Sequence, residues 1–374
     1  MCENLNENKD IKELDKELCK KLCEDIFALT SLCSVSGFEY RAAEELKKLY
    51  ADKFDSISAD GTGNFVFFKS ANKDGAPKIM VDAHFDEIGF VVSEVLDGGF
   101  LRIASVGGID RAIMQAARVS VFGKKTLDGV IISTPPHLRK PGDDKLPPVD
   151  ELMVDVGLGY ELDELKELIP IGTPVGFPPI YSELLGGKIA GKSFDDKACG
   201  AIAAYAVANT PKEALACDVC VMFSRYEETS RLGGVTAGVF GLKPDYAMVI
   251  DVNLASVPDV SKRETVDMDK GVSITLSAGT NRRLTRETIE LCREKEIPYT
   301  LSVSPSFTGT NASSVNLVGE GVAVVDIGLP LKSMHTYNEV ISLEDCETLA
   351  RLVEEFVSSQ KLAEIFAVKE EIIK

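Results

Sequence analysis

The sequence predicts an α/β domain that is interrupted by an inserted small β-barrel or β-sandwich domain. Apolar strand-like segments and helix-like segments occur in the first 90 residues, and they alternate again after residue 185. Between these parts, from about residue 91 to 185, short β-like segments are separated by Gly and Pro. Alternating strands and helices are typical of α/β sheets, whereas many short strands with turn signals indicate a barrel or sandwich. We therefore expect residues 1–90 and 186–374 to form one domain and residues 91–185 another.

The N-terminal part of the chain is predicted to be helical before the sheet begins. Apolar residues at helical spacing predict a helix from Ile11 to Cys33, and a second helix is expected from Phe38 to Tyr50. Two short strands follow at residues 56–59 and 64–68. A strand over residues 78–83 ends at His84 and is expected to be central in the sheet.

The inserted block and the second half of the α/β domain supply the remaining predicted elements. In the block, one helix is predicted at residues 161–168, and strands at residues 90–95, 100–103, 118–121, 129–132 and 175–177. After Lys192 we expect helices at residues 195–209, 285–295 and 343–356. Strands are expected there at residues 217–223, 246–250, 272–276, 300–303 and 322–327.

Composition argues against several classes of function. The 374 residues include 59 acidic and 41 basic side chains, which give a formal net charge of −18. Such an acidic surface repels phosphate backbones and anionic lipids, so we expect neither a nucleic-acid partner nor a membrane partner. The N-terminal segment lacks the apolar region of a secretory signal, and no stretch reaches the roughly 18 apolar residues of a membrane span. The nine scattered cysteines are typical of a reducing cytoplasm.

Two features that resemble functional motifs have simpler structural explanations. Cys217 and Cys220 have the C-x-x-C spacing of some redox and zinc sites, but no second cysteine pair accompanies them. They belong to an apolar run that predicts a buried strand, so we interpret them as core residues. His137 lies in the inserted block, away from the other candidate groups, and we interpret it as structural.

Two of the three histidines and several carboxylates follow apolar strands of the predicted α/β domain. An Asp-Asp pair also opens a helix of small residues after Lys192. An Asp pair is commonly a helix cap and a Glu pair a solvated face, so only their combination supports a site. Functional groups gather at the carboxyl ends of strands in open α/β sheets, so we expect these groups to converge on one rim. They are His84, Asp195, Asp196, Glu227, Glu228, Asp251 and His335.

Imidazole and carboxylate donors without thiolate favour Zn, Co or Mn over a structural cysteine site. Two divalent ions about 3.5–4 Å apart can lower the pKa of a bridging water and polarise a carbonyl. Such a site needs five ligands and one further carboxylate, Glu227, that moves protons. The predicted ligands are His84, Asp195, Glu228, Asp251 and His335.

Asp86 is a further candidate for the catalytic site. It lies two residues after His84, and residues i and i+2 of an extended segment point in the same direction. We therefore predict that its carboxylate accepts the second N–H of the imidazole. This contact would fix the tautomer of the ring and raise its basicity as a ligand.

In their order along the chain, six segments resemble the family of tetrahedral aminopeptidases, whose members are often labelled glutamyl aminopeptidase or endoglucanase. The resemblance runs from about residue 25 to about residue 358. It implies a mixed-sheet metallopeptidase catalytic domain and an inserted domain that dimerises, with six dimers closing into a hollow dodecamer. The segments are residues 83–90, 193–197, 226–228, 250–252, 308–312 and 334–336.

The resemblance also implies a role for each candidate residue. His84 and Asp251 would be ligands in separate half-sites, and Asp195 would bridge the metals, with Asp196 as the alternative. Glu228 and His335 would complete the ligand set, and Glu227 would be the general base. The chain departs from the usual family residues at Tyr226 (Gln), at Ser230–Gly233 (Gly-Leu-Arg-Gly), at Asn311 (Asp) and at Tyr337-Asn338 (Ser-Pro).

We therefore predict a cytoplasmic, metal-dependent aminopeptidase that removes residues from peptides with a free N-terminus. A related hydrolase of N-acyl or other small amides is the main alternative. A glycoside hydrolase that uses Glu227 and Glu228 is less favoured, because adjacent carboxylates separate poorly across a sugar and the chain has no Trp. A binding protein with a degenerate site is disfavoured because all five predicted ligands are present.

Overall fold

A computed structural model describes residues 15–133, 136–138, 146–157, 159, 161–229 and 232–367. The helix predicted from Ile11 is thus described only from residue 15 onward, and Cys2, Ser230 and Arg231 lie outside the described residues. The α-helices are α1 (Lys16–Thr30), α2 (Ala43–Tyr50), α3 (Leu162–Leu168), α4 (Phe194–Asn209), α5 (Gly233–Leu242), α6 (Arg282–Glu294), α7 (Ala312–Val315), α8 (Leu343–Ser358) and α9 (Gln360–Ala367).

The strands fall into a large sheet and a barrel. Those of the large sheet are β1 (Ser56–Ala59), β2 (Phe65–Lys69), β3 (Lys78–His84), β10 (Ser182–Leu184), β11 (Lys188–Gly191), β12 (Asp218–Ser224), β13 (Tyr246–Leu254), β14 (Val272–Ser277), β15 (Tyr299–Ser304), β16 (Ala323–Lys332) and β17 (Glu339–Ser342). Those of the barrel are β4 (Gly89–Leu96), β5 (Phe100–Val106), β6 (Arg118–Phe122), β7 (Thr126–Ile131), β8 (Met153–Asp155) and β9 (Pro174–Gly176).

The large sheet is mixed, with a parallel centre. Its main order is β1-β2-β12-β3-β13-β16-β17-β11-β10, and β14 and β15 join beside β16. Strands β12, β3, β13 and β16 run parallel, whereas β2 and β17 pair antiparallel with their neighbours. Parallel central strands are apolar on both faces because helices cover both sides. This mixed α/β architecture confirms the predicted fold class.

Two hydrophobic cores cover the two faces of the large sheet. On one face, alternate strand residues such as Ile79 and Val81 pack with α1, α4 and α8. On the other face, Met80 and Met222 pack with α5 and α7. Helix α4 is rich in Ala and Gly and is largely buried, and its first turn carries Asp195 and Asp196. The close packing of this helix places its N-terminus beside the end of β3.

The inserted strands close into an antiparallel barrel in the order β4-β5-β8-β7-β6-β9. The barrel has its own core, which includes Leu101, Val119 and Val154. Phe90 of β4 pairs with Val175 of β9, so the chain enters and leaves the barrel at adjacent positions. The barrel strands span residues 89–176, whereas β10 pairs with β11 in the large sheet.

Several details of the sequence interpretation are resolved by the structure. Cys217 and Cys220 are buried and form no disulfide, which confirms that they are core residues. His137 is exposed in a short 3-10 turn of the inserted block. The sequence did not predict α5, α7, α9, β8, β10, β11 or β17. Within the described part of the chain, no helix is long and apolar enough to cross a membrane.

Candidate metal centre

The parallel strands bring the candidate residues to one edge of the large sheet. His84 is the last residue of β3, and it pairs in register with Ser224, the last residue of β12. The Glu227-Glu228 pair begins three residues after the end of β12, and Asp251 lies in β13, on the other side of β3. The first turn of α4 and the loop after β16 complete the site by adding Asp195 and His335.

His84 lies at the buried end of this site, with only 1% of its side chain exposed. Its Nε2 atom is 3.0 Å from Asp195 Oδ1 and 3.9 Å from Asp251 Oδ1. Glu227 Oε2 is 4.0 Å from the same nitrogen. The neighbouring strands β3 and β13 thus bring the side chains of His84 and Asp251 close together.

His335 faces the opposite oxygen of Asp195. Its Nε2 atom is 3.6 Å from Asp195 Oδ2 and 3.5 Å from Glu228 Oε2. The two oxygens of one carboxylate thus point toward two different imidazoles. Asp196, the alternative bridging residue, accepts the backbone N–H of His84 at 3.1 Å through Oδ2 and is fully buried.

Asp86 contacts His84 through a different atom from the one predicted. The Nδ1 atom of His84 is 3.0 Å from the backbone carbonyl oxygen of Asp86 but 3.6 Å from its carboxylate. A carbonyl oxygen only accepts, so Nδ1–H donates, and in the neutral ring this leaves the Nε2 lone pair facing the site. The Asp86 carboxylate instead accepts the backbone N–H groups of Glu227 and Glu228, each at 3.2 Å.

Glu339 is a site residue that the sequence analysis missed. Its buried carboxylate accepts the backbone N–H of Asp195 and the backbone N–H of His335, each at 3.1 Å. Burial, and then the nearby charge of Asp195, raise the pKa of Glu339 well above its usual value. The one signal in the sequence was that Glu339 lies four residues after His335. This signal was weak, because Glu339 begins a strand, β17, that was not predicted.

A buried ion cluster also escaped the sequence analysis. Glu87 lies after β3 and contacts the side chains of Lys192, Ser193 and Lys197, with 3.0 Å to Lys197 Nζ. Burial opposes ionisation of Glu87, but the two ammonium groups outweigh it and lower its pKa to about 2. Burial also lowers the pKa of Lys197 to about 8. The cluster links the segment after β3 to the start of α4, and the first turn of α4 carries Asp195.

Two departures from the family pattern have clear structural contacts. Asn311 replaces a common Asp, and its amide donates to Asp82 Oδ2 at 2.9 Å and to Ser224 Oγ at 2.8 Å. Burial raises the pKa of Asp82 to about 7, so an amide suits this position better than a second carboxylate. The Tyr226 ring packs against the Arg225 guanidinium, with 4.7 Å from Cζ to the ring centroid.

The electrostatics of the site fit divalent cations. Burial, followed by the charge of Asp196, raises the pKa of Asp251, and burial with the charge of Asp195 raises that of Glu228. Burial disfavours a protonated His84, but the hydrogen bond that its ring donates to Asp195 and the nearby carboxylates raise its pKa well above 6.5. Carboxylates crowded in this way are stabilised by a bound cation. His84, Asp195 and Glu228 already offer ligand atoms within 4.8 Å of one another.

Oxygen and imidazole donors at the carboxyl ends of parallel α/β strands are typical of the site of a metal-dependent hydrolase. The chain belongs to the M42 glutamyl aminopeptidase family, which it matches over residues 63–352.

Individual relatives are similar over nearly their whole length. The chain is 28% identical over 355 residues to the lysyl aminopeptidase of Pyrococcus furiosus, covering 93% of this chain and 98% of that protein. An aminopeptidase structure from the archaeon Desulfurococcus kamchatkensis superposes with a TM-score of 0.86 at 31% identity, covering 96% and 100% of the two chains. The Pyrococcus horikoshii TET1 peptidase, described as assembling into a tetrahedron or an octahedral shell, superposes with a TM-score of 0.79 at 28% identity, covering 90% and 99%.

Proposed function

We propose that the protein is a two-metal aminopeptidase that hydrolyses the first peptide bond of peptides with a free N-terminus. The observation that carries this proposal is the position of Asp195, whose two oxygens lie 3.0 Å from His84 and 3.6 Å from His335. His84 Nε2 is also 3.9 Å from Asp251, and His335 Nε2 is 3.5 Å from Glu228. This arrangement supports two half-sites that share one bridging residue.

These distances support a role for each proposed ligand. His84 and Asp251 would hold one ion, His335 and Glu228 the other, and Asp195 rather than Asp196 would bridge them. Zinc is the proposed ion, and cobalt or manganese suits the same nitrogen and oxygen donors. When two divalent ions are bound, they supply an activated water and an electrophile for the substrate carbonyl.

Glu227 is the proposed general base. Its carboxylate reaches within 4.0 Å of His84 Nε2 but is not needed to complete either half-site. Burial raises the pKa of Glu227, although the nearby His84 opposes this shift. A raised pKa makes the carboxylate a better proton acceptor near neutral pH. Glu227 would take a proton from the attacking water and deliver it to the leaving amine. Asp86 would position this step by holding the backbone of Glu227 and Glu228.

The same proposal extends to substrate preference, assembly and compartment, for which the relatives are the guide. The family description names glutamyl substrates, whereas the Pyrococcus furiosus relative is a lysyl aminopeptidase. We leave the preferred N-terminal residue open, because family membership does not determine it. The TET1 peptidase assembles into a tetrahedron, so we propose a homo-oligomer built from dimers, up to a tetrahedral dodecamer. Residues 91–185 would form the inserted dimerisation domain, and the cytoplasm would be the compartment.

A substrate panel tests the proposal. Peptides with free N-termini should be shortened one residue at a time, whereas N-acetylated copies and a cellulose oligomer should resist. A chelator should abolish the activity, and Zn, Co or Mn should restore it when added singly. Mass spectrometry of the products measures the cleavage pattern. Cleavage of the acetylated peptides would favour an N-acyl hydrolase, and cleavage of the sugar oligomer would favour a glycosidase.

A further inference from the structure

The two candidate histidines are held in very different ways. His84 ends a central strand and its side chain is 1% exposed, whereas the His335 side chain is 39% exposed. His335 lies in a loop in which both Ser333 and His335 have a left-handed backbone with φ of 60°. On the side of the large sheet, Glu339 accepts the backbone N–H of His335. This bond fixes the backbone of the loop but leaves the direction of the ring to other contacts.

The barrel supplies contacts on the opposite side of this loop. The ring of Tyr337, two residues after His335, packs on Phe177 with 5.1 Å between ring centroids. Phe177 is buried in the barrel core and packs edge-on against Phe90 at 5.8 Å. A Cβ atom at Gly108, between β5 and β6, would lie only 3.3 Å from His335 Nδ1. The imidazole therefore lies directly against the barrel.

We propose that Tyr337 is a positioning residue for His335, and that the barrel acts through it on the metal centre. The Tyr337 ring, docked on Phe177, holds the loop so that His335 Nε2 faces Asp195 and Glu228. The inference rests on the proposed function, because it takes His335 as a metal ligand.

Zinc titration of the metal-stripped full-length protein tests this inference. Isothermal titration calorimetry would measure each site, and mass spectrometry after dialysis would count the bound ions. Residues that orient a ligand typically affect metal affinity by about 10–100-fold. Tyr337→Ala should therefore weaken one of two zinc sites by that order, and His335→Ala should remove the same site. Tyr337→Phe keeps the ring and should bind zinc like the wild type.

Matched variants separate positioning from a general loss of packing. Phe366→Ala removes a half-buried ring that packs on Tyr246 at the opposite end of β13, and should leave both sites unchanged. Phe177→Leu keeps an apolar side chain in the barrel core but removes the ring on which Tyr337 packs. This variant should also weaken one zinc site. Combining Phe177→Leu with Tyr337→Ala should add little, because both remove the same contact. Circular dichroism would establish that each variant is folded.

The outcomes distinguish this inference from the function on which it rests. Two zinc sites of unchanged affinity in His335→Ala would overturn the ligand assignment itself. Loss of one site in His335→Ala, with wild-type affinity in folded Tyr337→Ala, would overturn only the positioning role. If Tyr337→Ala does not fold, Phe177→Leu decides, since wild-type affinity in that variant would equally reject the anchor.

Discussion

Glu227 and Glu228 are adjacent and chemically identical, yet the structure gives them different surroundings. Both backbone N–H groups donate to Asp86, which fixes the turn that carries them. Glu228 Oε2 lies 3.5 Å from His335, and its side chain is 4% exposed. Glu227 is directed toward His84 at 4.0 Å, and its side chain is 17% exposed. The more accessible Glu227 is therefore the better candidate for moving protons.

Exchanging each residue for Gln should separate the two roles. Glu227→Gln keeps the shape but removes the basic oxygen, so turnover should fall by about 10²–10⁴-fold with the full metal content retained. Glu228→Gln should weaken one metal, and added metal should partly restore activity. Kinetics at two metal concentrations, together with metal analysis, measure both effects. If Glu227→Gln loses metal while Glu228→Gln retains it, the two assignments must be exchanged.

Asp326 provides a test of buried charge away from the proposed ligands. Burial raises its pKa to about 6, although hydrogen bonds from Thr275 and Thr310 oppose this shift. Because the folded pKa is raised above the unfolded value, the ionised carboxylate destabilises the fold. This penalty is absent below about pH 4 and complete above about pH 6, on the order of 3 kcal/mol. The free energy of unfolding should therefore fall as the pH rises through this window.

The variant Asp326→Asn should lack this part of the pH dependence, since its amide oxygen still accepts from Thr310. Urea unfolding of the metal-free protein at several pH values measures the effect. Asp128→Asn, at an exposed position in β7, is the matched control. A stability difference between Asp326→Asn and the wild type that stays constant from pH 4 to 7 would contradict the raised pKa.

The sequence predicted the candidate residues that stand out by residue type and position after an apolar run. It missed a residue that acts through contacts with the backbone of distant segments. His84 and Asp251 were found because each directly follows a run of apolar strand residues. Glu339 was missed because it acts on backbone N–H groups of two distant segments, a relation that only the folded loop creates. The contact of His84 Nδ1 with a carbonyl rather than with the Asp86 carboxylate depends on the local turn, which residue spacing does not encode.

Helix α5 shows why one element escaped sequence interpretation. Its ten residues include four glycines, which have a low intrinsic helix propensity. The glycines serve packing instead: a Cβ at Gly234 would lie 2.1 Å from the backbone oxygen of Arg225, and one at Gly238 would lie 2.3 Å from Met222 Sδ. The strongly apolar strands β3, β12 and β13 were predicted easily, because burial on both faces leaves a continuous hydrophobic run.

Two Gly→Ala substitutions in α5 should have opposite effects. Gly234→Ala collides with the backbone of Arg225, and should destabilise the protein by several kcal/mol, in the range of severe overpacking. Gly241→Ala has no atom within 4 Å of its added Cβ, and should stabilise the helix by about 0.5–1 kcal/mol. Urea unfolding measures both. Equal stability of the two variants would show that the close approach of α5 to Arg225 is not required.

At the scale of the whole molecule, one chain forms an α/β part and a barrel, each with its own hydrophobic packing, and the two meet near the metal centre. The change to short, Gly-broken strands was enough to predict an inserted β-rich block. The sequence left the choice between a closed barrel and a sandwich open, because closure depends on strand β9 returning to pair with β4. Nor could the sequence show that Gly108 and Tyr337 bring the barrel against His335. The inserted barrel thus has its own hydrophobic core and also forms one side of the site.

The final prediction concerns the proposed role of the inserted block in assembly. Because Phe90 and Val175 are paired neighbours, a short Gly-Ser linker can join residue 89 to residue 176 and remove the strands between them. Light scattering should show a large homo-oligomer for the full chain and a monomer for this deletion variant. Circular dichroism must show that the α/β domain remains folded, since the barrel also contacts the His335 loop. A folded deletion variant that still forms the large particle would show that surfaces of the α/β domain, and not the barrel, hold the assembly together.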